Sequence, residues 1–161
     1  MWNDIYLSIF VRAWLAGLFG FLIGWERVAT GSPVRARIIA MAGLTCAAIT
    51  AMSIEMFEAE TARILAGLMT GIGFLGAGVI MRAPSGEVRG LTTAASIWSM
   101  SAIGIAVGSG HIVLGFMLAF LVYITIAWNE WPLMTRLLQR RAEKQAQQAG
   151  SQQPVDTHQA H

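Results

Sequence analysis

Apolar residues fall in five long stretches, at residues 5–25, 38–54, 64–81, 91–107 and 112–128, and the segments between them carry nearly all of the charge. The first stretch holds about 21 residues and a single charge, Arg12. At 1.5 Å per residue a helix of that length spans roughly 31 Å, the thickness of a hydrocarbon core. The other four are slightly shorter, and interfacial residues or local thinning of a bilayer make up the difference. Backbone groups in lipid have no water to bond, so each stretch is expected to satisfy them as a helix. Strand alternation of the kind that builds a barrel is absent. The pattern predicts an all-α, polytopic membrane bundle of about five transmembrane helices over residues 1–134.

The connecting segments set an orientation. Arg27, Arg35 and Arg37 follow the first stretch, Arg82 and Arg89 follow the third, and Arg136, Arg140, Arg141 and Lys144 follow the fifth. The opposite connections carry Arg63 alone. The positive-inside rule then puts the N-terminus outside and the C-terminus in the cytoplasm. Trp2, Trp25, Trp128 and Trp131 fall near the expected interfaces. Residues 135–161 read as a tail, basic and then polar and largely disordered, whose arginines suit an anionic lipid surface. The first stretch lacks a basic n-region and a small-residue cleavage site, so a removed signal peptide is not expected.

Composition narrows the classes further. Over 161 residues the apolar share is 55% and the charged share 12%, too few charges to cover a water-soluble globule. One cysteine, Cys46, excludes a disulfide scaffold and four-cysteine zinc sites. The small net charge of +2 is spread along the chain, which gives no nucleic-acid footprint. No nucleophile–base–acid set is visible, and no enzyme activity is expected.

Glycine is the unusual feature. Gly71, Gly73 and Gly76 match a G-x-G-x-x-G spacing, but no strand precedes them and no βαβ unit surrounds them, so a dinucleotide fingerprint is excluded. Gly67/Gly71, Gly20/Gly24 and Gly104/Gly108 each form G-x-x-x-G, the spacing that lets helix backbones approach in lipid. The run Gly71–Gly78 has two readings: close helix packing, or a broken helix whose freed carbonyls line a polar cavity. Either reading places the third helix centrally, touching at least two others around Gly73–Gly78.

Charges inside or beside the stretches are the other candidates. Arg12 lies within its helix and has two readings: its side chain snorkels to the outer surface, or it forms a buried ion pair, with Glu55, Glu58 and Glu60 on the same side as prospective partners. Arg12, Ala16, Phe19, Ile23 and Glu26 share one helix face, although Arg12 and Glu26 are too far apart along the axis to pair. The fourth stretch opens Arg89-Gly90-Leu91-Thr92-Thr93 and adds Ser96, Ser99 and Ser101, hydroxyls that serve as packing contacts or line a hydrated path. No carboxylate sits mid-membrane, and Mg²⁺ asks for carboxylates and water. Glu26, with nearby hydroxyls and carbonyls, is the candidate for a cation contact.

Three segments carry a family resemblance. Ile23-Gly24-Trp25-Glu26-Arg27 is similar to the I-G-x-E-R ending of the first span in MgtC/SapB-family membrane proteins. Residues 71–80, reading G-I-G-F-L-G-A-G-V-I, resemble the family's glycine segment residue for residue, and residues 88–98, with Arg89, Gly90, Thr92, Thr93 and Trp98, resemble its V-R-G-L-T-T-A-A-x-x-W segment. Arg12 and Arg63 also stand where such arginines tend to lie. At residues 32–37 the match is thinner, and only Arg35 carries over. The resemblance implies a bacterial inner-membrane protein, a short form without the cytoplasmic domain of larger members, transport-related and linked to magnesium homeostasis or low-magnesium survival. The motif residues Arg12, Glu26, Arg27, Arg35, Arg63, Gly71, Gly73, Gly76, Gly78, Arg89, Gly90, Thr92, Thr93 and Trp98 are its candidate functional set. On the transport reading the glycines shape a cavity with Glu26, Arg89 and Thr92 at its cytoplasmic end. On the alternative the chain is a non-transporting regulatory or scaffold subunit that docks a larger membrane complex. No cofactor is expected, with Mg²⁺ the ligand in question, and the partners are the bilayer and either further copies of the chain or another membrane protein.

Overall fold

A computed structural model describes residues 2–29, 36–84 and 86–127. Those up to Ile126 belong to one compact unit, and the tail expected over 135–161 lies outside the described residues, as does Arg35. Five α-helices follow in chain order: α1 Trp2–Ala29, α2 Ala36–Met56, α3 Thr61–Val79, α4 Leu91–Gly108 and α5 Ile112–Ala127. Each covers one of the five apolar stretches, and the architecture is all-α. Four helices are long and apolar enough to cross a membrane, and α5 is a shorter apolar helix of 16 residues as described.

α2 forms the middle of the bundle, between α1 and α4, and small residues make the sandwich tight. A methyl group added at Gly24 would lie 2.6 Å from the Ala36 Cα, and one at Gly20 would lie 2.7 Å from the Ile39 carbonyl oxygen. On the other side of α2, a methyl at Gly108 would meet the Ala47 carbonyl oxygen at 2.5 Å and one at Gly104 would meet the Cys46 Cβ at the same distance. Real side chains do not fit at such distances, so these glycines bring backbones into contact, as the G-x-x-x-G spacing requires. Ala16, Ile39, Cys46, Ala47, Met100 and Ile103 of these helices are wholly buried, as is Val107, which also faces Gly115 of α5.

α3 lies at the edge of this sandwich. It touches α2 and α4, but most of its surface faces outward, and only Ile72 and Gly76 are buried. This corrects the central placement expected from the sequence. It also removes the broken helix, since α3 runs without interruption through Gly71–Gly78. The spacing of glycines shows that a helix can be approached closely; the identity of what approaches is not written in it.

Two short features position the ends. Met81–Arg82 pairs antiparallel with Val88–Arg89, so the third connection is a small hairpin, with Met81 opposite Arg89. Gly90 closes it at φ +90, where a side chain would also run into the Val79 carbonyl oxygen, and α4 begins at the next residue. At the opposite end the Thr61 hydroxyl donates to the Ser53 carbonyl at 2.9 Å and ties the start of α3 to the end of α2.

Three serine hydroxyls of α4 turn back on their own helix. Ser96 donates to the Thr92 carbonyl at 2.9 Å, Ser99 to Ala95 at 2.9 Å and Ser101 to Trp98 at 2.6 Å. Local bonds of this kind satisfy a hydroxyl in an apolar setting. They favour the packing role over a hydrated path.

Candidate functional site

The candidate residues separate into three places. The first is a clamp where α1, α2 and α4 meet. Arg12 enters from α1 with its side chain 22% exposed. Its Nη1 donates to the Gly108 carbonyl at 3.0 Å and stands 3.4 Å from Glu55 Oε1 at the end of α2. The guanidinium therefore balances a carboxylate and also the negative end of the α4 dipole, whose last carbonyls lack helical partners. Gly110, at φ +87, passes beside the same guanidinium. Of the three acids expected near Arg12, Glu55 is the one that meets it; Glu60 pairs instead with Arg63, one turn away on the surface.

The second place is a groove between α1 and α5. The rings of Phe19 and Phe116 meet edge to face, with centroids 6.2 Å apart. Rings hold helix axes apart where glycines let them close, so a groove of about 370 Å³ opens along this seam. Phe19, Trp25, Phe116, Phe120 and Tyr123 present aromatic surface to it, and Glu26 supplies its carboxylate. The Glu26 side chain forms no ion pair or hydrogen bond among the described residues. Reading the sequence missed the groove as a unit, although Phe116, Phe120 and Tyr123 recur at i, i+4 and i+7 and so mark one face of α5.

The third place is the outward face of α3. Successive residues of an α-helix turn by about 100°, so Gly67, Gly71 and Gly78 share a face within about 40°, and Phe74 projects from it. No described residue lies within 4 Å of a methyl built at Gly67, Gly71, Gly73 or Gly78. Phe74 is 81% exposed. Gly76 alone turns inward, toward Ala94 of α4 at ordinary contact distance.

The remaining motif residues do not gather around a common cavity. Arg89 lies in the hairpin, exposed, with its Nε and Nη2 donating to Glu87 at 3.1 and 2.9 Å. Thr92 is exposed, Thr93 is buried and Trp98 faces outward. Neither Arg89 nor Thr92 lines the groove that holds Glu26. The backbone of Arg27 continues α1, and its side chain lies outside the description. No group of three or more metal-ligating side chains occurs among the described residues.

Comparison with known proteins agrees with the motifs. An uncharacterized protein of Haemophilus influenzae is 32% identical over 154 residues, covering 89% of this chain and 64% of that protein. Protein SapB of Bacillus subtilis is 28% identical, covering 77% of this chain and 57% of its own length. Protein MgtC of Salmonella typhimurium is 41% identical over 96 residues, 60% of this chain and 41% of the relative. The chain thus spans about two thirds or less of these three proteins. No solved structure matches. The model of the MgtC family covers residues 14–131, which takes in the clamp arginine's flank, the glycine segment and all five helices in large part, and the chain belongs to the MgtC family of membrane proteins.

Proposed function

We propose that the chain is a multi-pass inner-membrane protein linked to magnesium homeostasis, with its N-terminus outside and its C-terminus in the cytoplasm, and that it acts as a non-transporting subunit docking a larger membrane assembly through α3. One observation carries the docking role: the glycine-rich motif opens outward, with no described neighbour at Gly67, Gly71, Gly73 or Gly78, while glycines of the same spacing on α1 and α4 are pressed against α2. A helix backbone exposed in this way offers a partner the close approach that drives association in lipid. Transport of Mg²⁺ is the weaker reading. The metal demands several oxygen ligands in near-octahedral array, and among the described residues the groove between α1 and α5 sets one acidic residue among aromatic rings.

The test pairs two measurements. In cells that depend on this protein for growth at low magnesium, Gly71→Leu is expected to abolish growth support and co-purification of the membrane partner, while the purified variant keeps wild-type helicity. Proteoliposomes holding the wild-type protein alone are expected to show no metal flux. Metal flux that disappears in Glu26→Gln would overturn the docking role in favour of transport.

A further inference from the structure

The groove between α1 and α5 plays no part in the docking role of α3, and its chemistry is specific. Among the described residues its walls are hydrocarbon and aromatic rings, and Glu26 is the one charged residue that lines it. A volume of about 370 Å³ falls in the range of small-ligand sites. Trp25 and Tyr123, 65% and 42% exposed, line the groove together with Glu26. Such rings favour the level of a bilayer where headgroups begin.

Charge complementarity selects the occupant. Aromatic faces carry negative quadrupolar charge and attract cations, and the carboxylate adds a full charge of the same sign. Neither feature attracts an anionic headgroup. A small divalent ion finds too few oxygen ligands here, whereas an organic ammonium needs only one carboxylate and ring faces. The walls of the groove, in a protein surrounded by lipid, suit an acyl chain attached to that ammonium. We propose that the α1–α5 groove binds an amine-bearing phospholipid of the surrounding bilayer, its ammonium at Glu26 and the rings of Trp25 and Tyr123, and one of its chains along Phe19, Phe116 and Phe120. The site is independent of what α3 docks, so either assignment can fail alone.

The full chain, purified in mild detergent with equal amounts of dioleoyl phosphatidylethanolamine, phosphatidylcholine and phosphatidylglycerol, is read by native mass spectrometry. The two ammonium-bearing lipids are expected to exceed phosphatidylglycerol by about fivefold among the adducts, the scale of a partly exposed cation contact with a carboxylate and a ring. Glu26→Gln is expected to bring the three lipids close to parity. Phe120→Ala, at a half-exposed position, is expected to lower all three together. Parity in the wild-type protein, or a preference that survives Glu26→Gln, would overturn the proposal. So would a lipid-free dimer that dissociates on Phe120→Ala, because the groove would then belong to a second copy.

Discussion

Glycines at the same spacing do opposite things in two regions of this molecule. On α1 and α4 the pairs Gly20/Gly24 and Gly104/Gly108 are pressed against α2, and a methyl at any of them would lie 2.5–2.7 Å from another heavy atom. On α3 the pair Gly67/Gly71 meets nothing. Lipid tails are as apolar as leucine, so helices gain nothing from hydrophobic burial within the bilayer and associate through packing. A filled glycine has therefore contributed to the fold of this chain, and an open one keeps that contribution in reserve for another surface.

The sharpest way to break this comparison is to enlarge one filled glycine. In Gly20→Leu a branched side chain would have to occupy space held by the Ile39 carbonyl and the Ala40 Cα. Backbone cannot rotate out of the way as a side chain can, so α1 and α2 must separate. The expected loss is about 3 kcal/mol or more, at the upper end of overpacking costs, read as a collapse of the unfolding midpoint in a denaturing-detergent titration. A variant as stable as wild type would show that the α1–α2 contact does not hold the bundle together.

The second test asks how much the filled region owes to charge rather than to backbone contact. Arg12→Ala removes the counter-charge of Glu55, whose side chain is 29% exposed, and a donor to the Gly108 carbonyl. Stranding a partly buried carboxylate and a helix-end carbonyl is expected to cost about 2 kcal/mol. Arg63→Ala removes a pair on the surface, with Arg63 81% exposed, and is expected to cost less than about 0.5 kcal/mol. Equal costs for the two variants, in the same titration, would mean that the clamp is no more than another surface ion pair.

The contrast also explains which parts of the structure the sequence discloses. The five helices are legible because the cost of unsatisfied backbone in lipid dictates both their length and their type, and each apolar stretch lies over one helix with ends shifted by a few residues. The partner of Arg12 is nearly legible, because a charge within a span narrows its choices to acids at the same depth, and Glu55 was among the three. The edge position of α3 is not. G-x-x-x-G records that a close neighbour is tolerated, and the neighbour's address is a tertiary fact. The hairpin at 81–89 escapes because two paired residues a side are too few to show a period of two. The α1–α5 groove escapes for a related reason: Phe19 lies nearly a hundred residues before Phe116, and nothing local to either announces that their rings hold two helices apart.

The smallest predicted effect has a sign that depends on the comparison. Alanine at Gly71 adds one methyl where nothing lies within 4 Å. It also removes the backbone freedom that glycine loses on entering a helix, which makes alanine the better helix residue by about 0.5–1 kcal/mol. Gly71→Ala in the isolated protein is therefore expected to be neutral or stabilising by about 0.5 kcal/mol. Alanine at Gly20 gains the same propensity, but its methyl would lie 2.7 Å from the Ile39 carbonyl oxygen, and the net change is destabilising. The two unfolding midpoints should move in opposite directions. If Gly71→Ala instead destabilises the isolated chain as Gly20→Ala does, the outward face of α3 already has a close neighbour, and a second copy of the chain becomes the first candidate to fill it.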